Sequence, residues 1–284
     1  MYSVIITLYG NRRCSNTDGC TRKGQEYIMT TTIAFANQKG GAGKTTTTSA
    51  FAHGLARRGY SVLVVDLDSG IGNLSALCGF NRQSAGSSAA LLDHSLPARD
   101  CIQSAERFDG VAANAALIAA EAAISAQIGR ERRLADALSE VSADYDYVLI
   151  DTPGMFNLSL VNALVAADEV IIPMGADGLE AASGLEILES VGQIRSTYNP
   201  KLTVAGICIT RYRANTKLQQ QLLGDIKRKA AAQGVEVYNA RVRLGIAVQE
   251  AQAYQKDLLE WKAAAEVAQD YENLVDEYLE AHRD

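Results

Sequence analysis

The stretch Thr32-Ile33-Ala34-Phe35-Ala36-Asn37-Gln38-Lys39-Gly40-Gly41-Ala42-Gly43-Lys44-Thr45-Thr46 joins an apolar, strand-like run, a glycine loop and the opening of a helical pattern. Glycines in such a loop let the backbone curl until successive N–H groups point at one place, and the helix N-terminus adds a partial positive charge there. A phosphate chain is the ligand that geometry suits. Lys44 then grips the β and γ phosphates, and the Thr45 hydroxyl is placed to ligate Mg²⁺. The usual phosphate-loop pattern has a glycine separated by four residues from the final Gly-Lys-Thr. Here Lys39 stands in that region, so the loop is a deviant version carrying two lysines.

Outward from this loop, apolar runs of strand length alternate with helical stretches. Strands are expected at Ile33–Ala36, Ser61–Val65, Tyr147–Ile150, Glu169–Pro173 and Leu202–Ile209, with helices at about Lys44–Arg58, Ser87–Leu92 and Arg130–Val141. Alternation of this kind implies an α/β fold, a doubly wound, mainly parallel sheet flanked by helices. Ligands of such sheets bind at the carboxyl ends of the strands. Two strands end there in acids: Val62-Leu63-Val64-Val65 runs into Asp66-Leu67-Asp68, and Tyr147-Val148-Leu149-Ile150 runs into Asp151. An acid at the position of Asp151 can hold Mg²⁺, directly or through water.

The chain has 284 residues, 48% of them apolar and 21% charged, which excludes a stapled mini-protein and a disordered or fibrous chain. No run approaches the roughly 20 apolar residues of a membrane-spanning helix, and Val4–Leu8 is too short for a signal-peptide core. Five cysteines, at 14, 20, 78, 101 and 208, are odd in number and mostly scattered, which points to reduced thiols and a cytoplasmic protein. No sustained period appears before Met29. The chain therefore divides into an extension, 1–28, and a single domain, 29–284. Lys23-Gly24-Gln25-Glu26 requires purine-rich codons resembling a bacterial ribosome-binding site, so the extension reads as translated leader as readily as an arm.

Asn37-Gln38-Lys39-Gly40-Gly41-Ala42-Gly43-Lys44-Thr45-Thr46 resembles the deviant Walker A loop of the ParA/MinD family of ATPases, and with the later segments the resemblance covers about residues 30–280. It implies a P-loop ATPase using ATP and Mg²⁺, with residues 39–46 on the nucleotide. It also implies that Lys39 reaches across a sandwich homodimer to the partner's phosphates, adding to Lys44 a second ammonium on the developing charge. By the same resemblance Asp68 orients the attacking water, and Thr45, Asp66 and Asp151 form the Mg²⁺ shell. The catalytic set is thus Lys39, Lys44 and Asp68. Asn162–Pro173 is similar to ParA proteins, whereas Ser69-Gly70-Ile71-Gly72-Asn73-Leu74 departs from the Pro-Gln-Gly-Asn usual in Soj-type partition proteins and is closer to MinD spacing.

The net charge of −6 hides an asymmetry: ten Lys/Arg against two acids over residues 195–243, then three against ten over residues 244–284. Arg211, Arg213, Lys217, Lys227, Arg228, Lys229, Arg241 and Arg243 are candidates for a stripe on DNA phosphates, doubled by dimerisation. The last helix has an apolar face of Val267, Tyr271, Leu274, Tyr278 and Leu279, and its acidic polar face is repelled by anionic lipid. The combined expectation is an ATP-dependent DNA partition protein, cytoplasmic and nucleoid-associated. Its expected partners are a second copy, non-specific DNA and a ParB-like centromere-binding protein, without stable membrane association. A MinD-like positioning ATPase and a non-hydrolysing scaffold are the rivals.

Overall fold

A computed structural model of the chain describes residues 30–70, 74–175, 185–213, 217–261 and 265–283. The expected extension 1–28 and the Ile71-Gly72-Asn73 part of the departure from Soj-type spacing lie outside them.

The elements follow the alternation in the sequence. Strands are β1 (Thr31–Phe35), β2 (Val62–Asp66), β3 (Gln103–Ser104), β4 (Asp109–Val111), β5 (Tyr147–Asp151), β6 (Glu169–Gly175), β7 (Thr203–Tyr212) and β8 (Val237–Arg243). Helices are α1 (Lys44–Arg57), α2 (Leu74–Leu77), α3 (Ser88–Asp93), α4 (Ala98–Cys101), α5 (Ala116–Ile124), α6 (Arg133–Leu138), α7 (Leu158–Ala166), α8 (Glu186–Thr197), α9 (Lys217–Ala231), α10 (Ile246–Ala253), α11 (Leu258–Trp261) and α12 (Glu266–Ala281). Among the described residues the strands form one sheet in the order β3-β4-β2-β5-β1-β6-β7-β8. Every pairing is parallel except the short β3–β4 edge.

Strand side chains alternate between two cores because successive Cβ atoms point to opposite faces. Ala34, Leu63, Val65, Val148 and Ile150 join one core, beneath α3, α5, α6 and α7. Ile33, Phe35, Val62, Val64 and Leu149 join the other, beneath α1 and α12. The second core is built on aromatic edges: Phe51 of α1 meets Phe35 at 5.1 Å and Tyr278 of α12 at 5.5 Å between ring centroids. The expected apolar face of the last helix is buried here, and Arg58, which caps the C-terminus of α1, pairs with Glu272 and Asp276 on the polar side of α12 at 2.8 and 2.7 Å.

Three corrections to the sequence reading concern weak elements. The stretch between Gly79 and Asp144, read from sequence as helical, also contributes β3, at the sheet edge, and β4 beside it. The Arg130–Val141 helix is a 3-10 turn followed by the shorter α6, and the basic segment around Arg241 is the edge strand β8. Edge strands with few apolar residues take their definition from a neighbouring strand rather than from their own pattern. Replacement of Phe51 by Ala is expected to cost about 3–5 kcal/mol of unfolding free energy, measured by urea denaturation, because it opens a cavity between Phe35 and Tyr278.

Candidate nucleotide site

Register brings the three motifs to one spot. Asp151, last in β5, lies opposite Phe35 at the end of β1 and opposite Asp66 at the end of β2. The loop 37–43 leaves β1 at this point. Asn37 anchors its start, donating to the Pro173 carbonyl at 2.7 Å and accepting from the Lys39 N–H at 3.1 Å. Gly43 anchors its end at φ 91°, a left-handed conformation that favours glycine, and a Cβ there would also press on Thr210 at 3.3 Å. Thr210 in turn donates to the Ala42 carbonyl at 2.9 Å, so the end of β7 braces the loop. On the other side a Cβ on Gly154 would meet the Gly40 backbone at 3.1 Å. A side chain in this turn after β5 would push the loop back by a few tenths of an ångström.

Lys44 opens α1 almost completely buried, with Nζ donating to the Lys39 carbonyl at 3.1 Å. Burial lowers its pKa, against the pull of Asp151 and Asp68. Thr45 donates to one Asp151 oxygen at 2.7 Å, while the Thr48 hydroxyl lies 3.4 Å from the other. Burial pushes the Asp151 carboxyl up to about 8, with the neighbouring Asp66 adding to the effect. Asp66 is pushed up to about 6, again by burial, against hydrogen bonds from Ser75 and the Asp68 backbone.

The Asp66 carboxylate is held by donors of the turn that follows it. One of its oxygens accepts from the Asp68 N–H at 2.9 Å, and the other accepts from both the N–H and the hydroxyl of Ser75. Its carboxylate thus braces the turn that carries Asp68. Asp68 lines the cavity and accepts from the Gly70 N–H at 2.9 Å. The direct contact within the expected Mg²⁺ set is Thr45 with Asp151. Both are hard oxygen donors that suit Mg²⁺, and two desolvated carboxylates side by side favour a cation. Among the described residues no group of three or more His, Cys, Asp or Glu forms a metal cage.

A cavity of about 370 Å³ opens above the loop. Its far end is lined by Val242, Leu244, Val248 and Tyr271 with Gln249 and Gln252, an apolar slot with amide groups suited to a planar base. Gln252 donates to Thr46 at 2.9 Å, linking the two ends. The stretch 240–251, which supplies most of this slot, is similar in sequence to late partition-protein segments that flank the adenine, and Gly154 follows the Asp151 motif, whereas Tyr271, Ser75 and Thr48 belong to no spaced motif. The basic residues separate into groups. Arg213, Lys217, Arg228 and Lys229 are exposed, Lys227 and Arg241 are half-buried, and Arg241 lies over the Tyr212 ring at 5.3 Å. Arg211 and Arg243 instead line the cavity. Arg243 is held by Asp270 at 2.7 Å and by Glu266, so its charge is matched within the fold.

A glycine loop between a parallel strand and a helix, with an acid at the end of the adjacent strand, defines a P-loop nucleotide-binding protein. A family model described as an AAA domain matches residues 30–204. The chromosome partitioning protein ParA of Caulobacter vibrioides is 32% identical over 257 residues, 89% of this chain and 95% of its own length. The sporulation initiation inhibitor protein Soj of Bacillus subtilis is 31% identical over 250 residues, 86% of this chain and 96% of its own. Among solved structures, cobyrinic acid a,c-diamide synthase from Mycobacterium smegmatis, with bound ATP analog and magnesium, aligns with a TM-score of 0.75 at 26% identity, covering 87% of this chain and 93% of that one. The McdA–ATP complex of Cyanothece aligns with a TM-score of 0.79 at 20% identity over 88% of this chain and 96% of that one, a likeness of fold. The chain belongs to the ParA/Soj family of partition ATPases.

The raised Asp151 carboxyl has a signed consequence for stability. The folded protein keeps that proton up to about pH 8, whereas the unfolded chain releases it near its ordinary value of 3.8. The contribution is therefore complete below about pH 4 and is lost as pH rises through 8. Without Mg²⁺ and nucleotide, the melting temperature of the native protein should fall relative to Asp151→Asn by several degrees between pH 5 and pH 9. A constant difference between the two melting curves would contradict the raised carboxyl.

Proposed function

We propose that this chain is an ATP-dependent DNA partition protein. ATP and Mg²⁺ bind the loop, two copies close over the nucleotides, and the dimer holds DNA without sequence preference. Hydrolysis to ADP and phosphate, stimulated by a ParB-like centromere-binding protein, releases the DNA. The observation that carries the reading is the pair of lysines on one short loop, with Lys44 buried and folded back on the carbonyl of Lys39.

Lys44 and the loop N–H groups bind the β and γ phosphates of their own nucleotide. Lys39, half-buried at the edge of the loop, extends to the nucleotide of the second copy, so the closed dimer depends on a triphosphate. Thr45 and Asp151 would hold Mg²⁺, which when bound neutralises charge on the phosphate oxygens. Asp68 lies on the cavity wall, where it can orient an attacking water, and Asp66 with Ser75 fixes the turn that carries it. Turnover by the isolated chain is slow, because Asp68 lies on a partly exposed turn that a partner has yet to position.

The DNA face comprises Arg213, Lys217, Lys227, Arg228, Lys229 and Arg241. Four of these lie on α9, whose Leu223, Ile226 and Ala230 are buried, leaving the charged side outward. Arg228 pairs with Asp225, which reduces its share. The apolar face of α12 is packed on α1 and the sheet, an arrangement that favours DNA over a lipid surface as the partner. Among the described residues no helix is long and apolar enough to cross a membrane. The resulting location is the cytoplasm, on the nucleoid.

Light scattering and DNA anisotropy with ATP, ADP and no nucleotide test the scheme. ATP should double the mass and tighten DNA binding, Lys39→Ala should bind ATP yet remain monomeric, and Lys44→Ala should lose nucleotide. Charge reversal of Lys227, Arg228 and Lys229 to Glu should weaken ATP-dependent DNA binding roughly tenfold or more and flatten its salt dependence. DNA binding of equal strength without nucleotide would contradict the switch.

A further inference from the structure

β7 does not run straight to its end. Between Ile209 and Tyr212 it advances three residues while β8 advances two, from Arg241 to Arg243, and the register shifts within this interval. The extra residue makes a bulge, a device that re-aims one side chain and occurs next to functional sites. Arg211 lies in the bulge with φ 52°, a left-handed conformation uncommon in a non-glycine residue. An observed backbone outlier of this kind is grounds for a functional hypothesis.

The bulge separates Arg211 from the other basic residues of its segment. Arg213, two residues on, is exposed, whereas Arg211 is half-buried on the wall of the nucleotide cavity, with Gly40, Gly41 and Lys44. Its Nη1 is 3.9 Å from the point a Cβ on Gly41 would occupy, so the guanidinium lies against the glycine loop. The preceding residue, Thr210, is tied to the Ala42 carbonyl at 2.9 Å, which fixes the bulge to that loop. Arg243, in the same cavity, is already matched by Asp270 at 2.7 and 2.9 Å.

We propose that Arg211 binds the phosphate chain of the nucleotide held in its own subunit, as a second cation of the cradle beside Lys44, to which the closed dimer adds Lys39 from the other copy. A planar guanidinium pairs two phosphate oxygens at once, which a lysine does not, and a residue mounted on the bulge is aimed before the ligand arrives. This assignment rests on the reading of the cavity as a nucleoside triphosphate site, and it takes Arg211 out of the DNA stripe expected from sequence.

Arg211→Gly removes the side chain and suits the left-handed backbone, so its ligand-free melting temperature should equal or exceed that of the native protein. Calorimetry with Mg²⁺ present should show ATP and ADP bound about 10- to 100-fold more weakly by Arg211→Gly, with adenosine unchanged and Arg211→Lys intermediate. DNA binding by Arg211→Gly at saturating ATP should match the native protein. Native-like affinity of Arg211→Gly for ATP and ADP would overturn the assignment, whether or not DNA binding falls, and so would an equal loss for adenosine. A native protein that binds neither ATP nor ADP would overturn the triphosphate site and this assignment together, a result distinct from failure in the variant alone.

Discussion

The hydrogen bond from Thr45 to the fully buried Asp151 joins the first turn of α1 to the end of β5, and the site is organised around it. A carboxyl in such a place is costly to ionise, and its neighbours are two more acids and one lysine of the same loop system. The cost is tolerable in a site that takes up a cation together with its ligand. Asp151 ties strand to helix, and in the proposed function the same carboxyl would supply negative charge to a cation that displaces its proton.

The remainder of the architecture keeps that contact in place. Asp151 has its neighbours because β5 is inserted between β1 and β2, a parallel arrangement that only crossover connections can make. α1 presents Thr45 at the right height because Phe51 and Leu55 are packed beneath it against the aromatic core and α12. The C-terminal helix, far from the loop in sequence, thus sets the position of the loop by holding the underside of the helix that follows it. From the other side Thr210 and Gly154 close on the loop, so its backbone is held by β7 and by the turn after β5 as well as by Asn37 and Lys44.

Much of this was legible in the chain. The strands β1, β2, β5, β6 and β7 are apolar runs with interruptions on either side, and they match the expected boundaries to within a few residues. Lys39, Lys44, Thr45, Asp68 and Asp151 could be singled out as candidates in the chain because a phosphate loop and strand-end acids depend on spacing. Other features were hidden. Nothing in the spacing separates Asp66, which braces the turn through Ser75, from Asp68, which lines the cavity, since both are acids at the end of one strand. The basic segment looked uniform, yet the bulge in β7 directs Arg211 into the cavity, and two acids of the C-terminal helix claim Arg243.

Local chemistry alone therefore determined that the chain folds as a parallel α/β sheet with a phosphate loop bearing two lysines, because apolar periodicity and glycine spacing act over a few residues. What the tertiary structure decided was the division of labour among like residues, meaning which acid braces and which faces the ligand, and which arginine turns inward. That choice depends on strand register and on contacts between segments far apart in the chain, such as Arg243 with Asp270 or Thr210 with Ala42, and no local pattern encodes those.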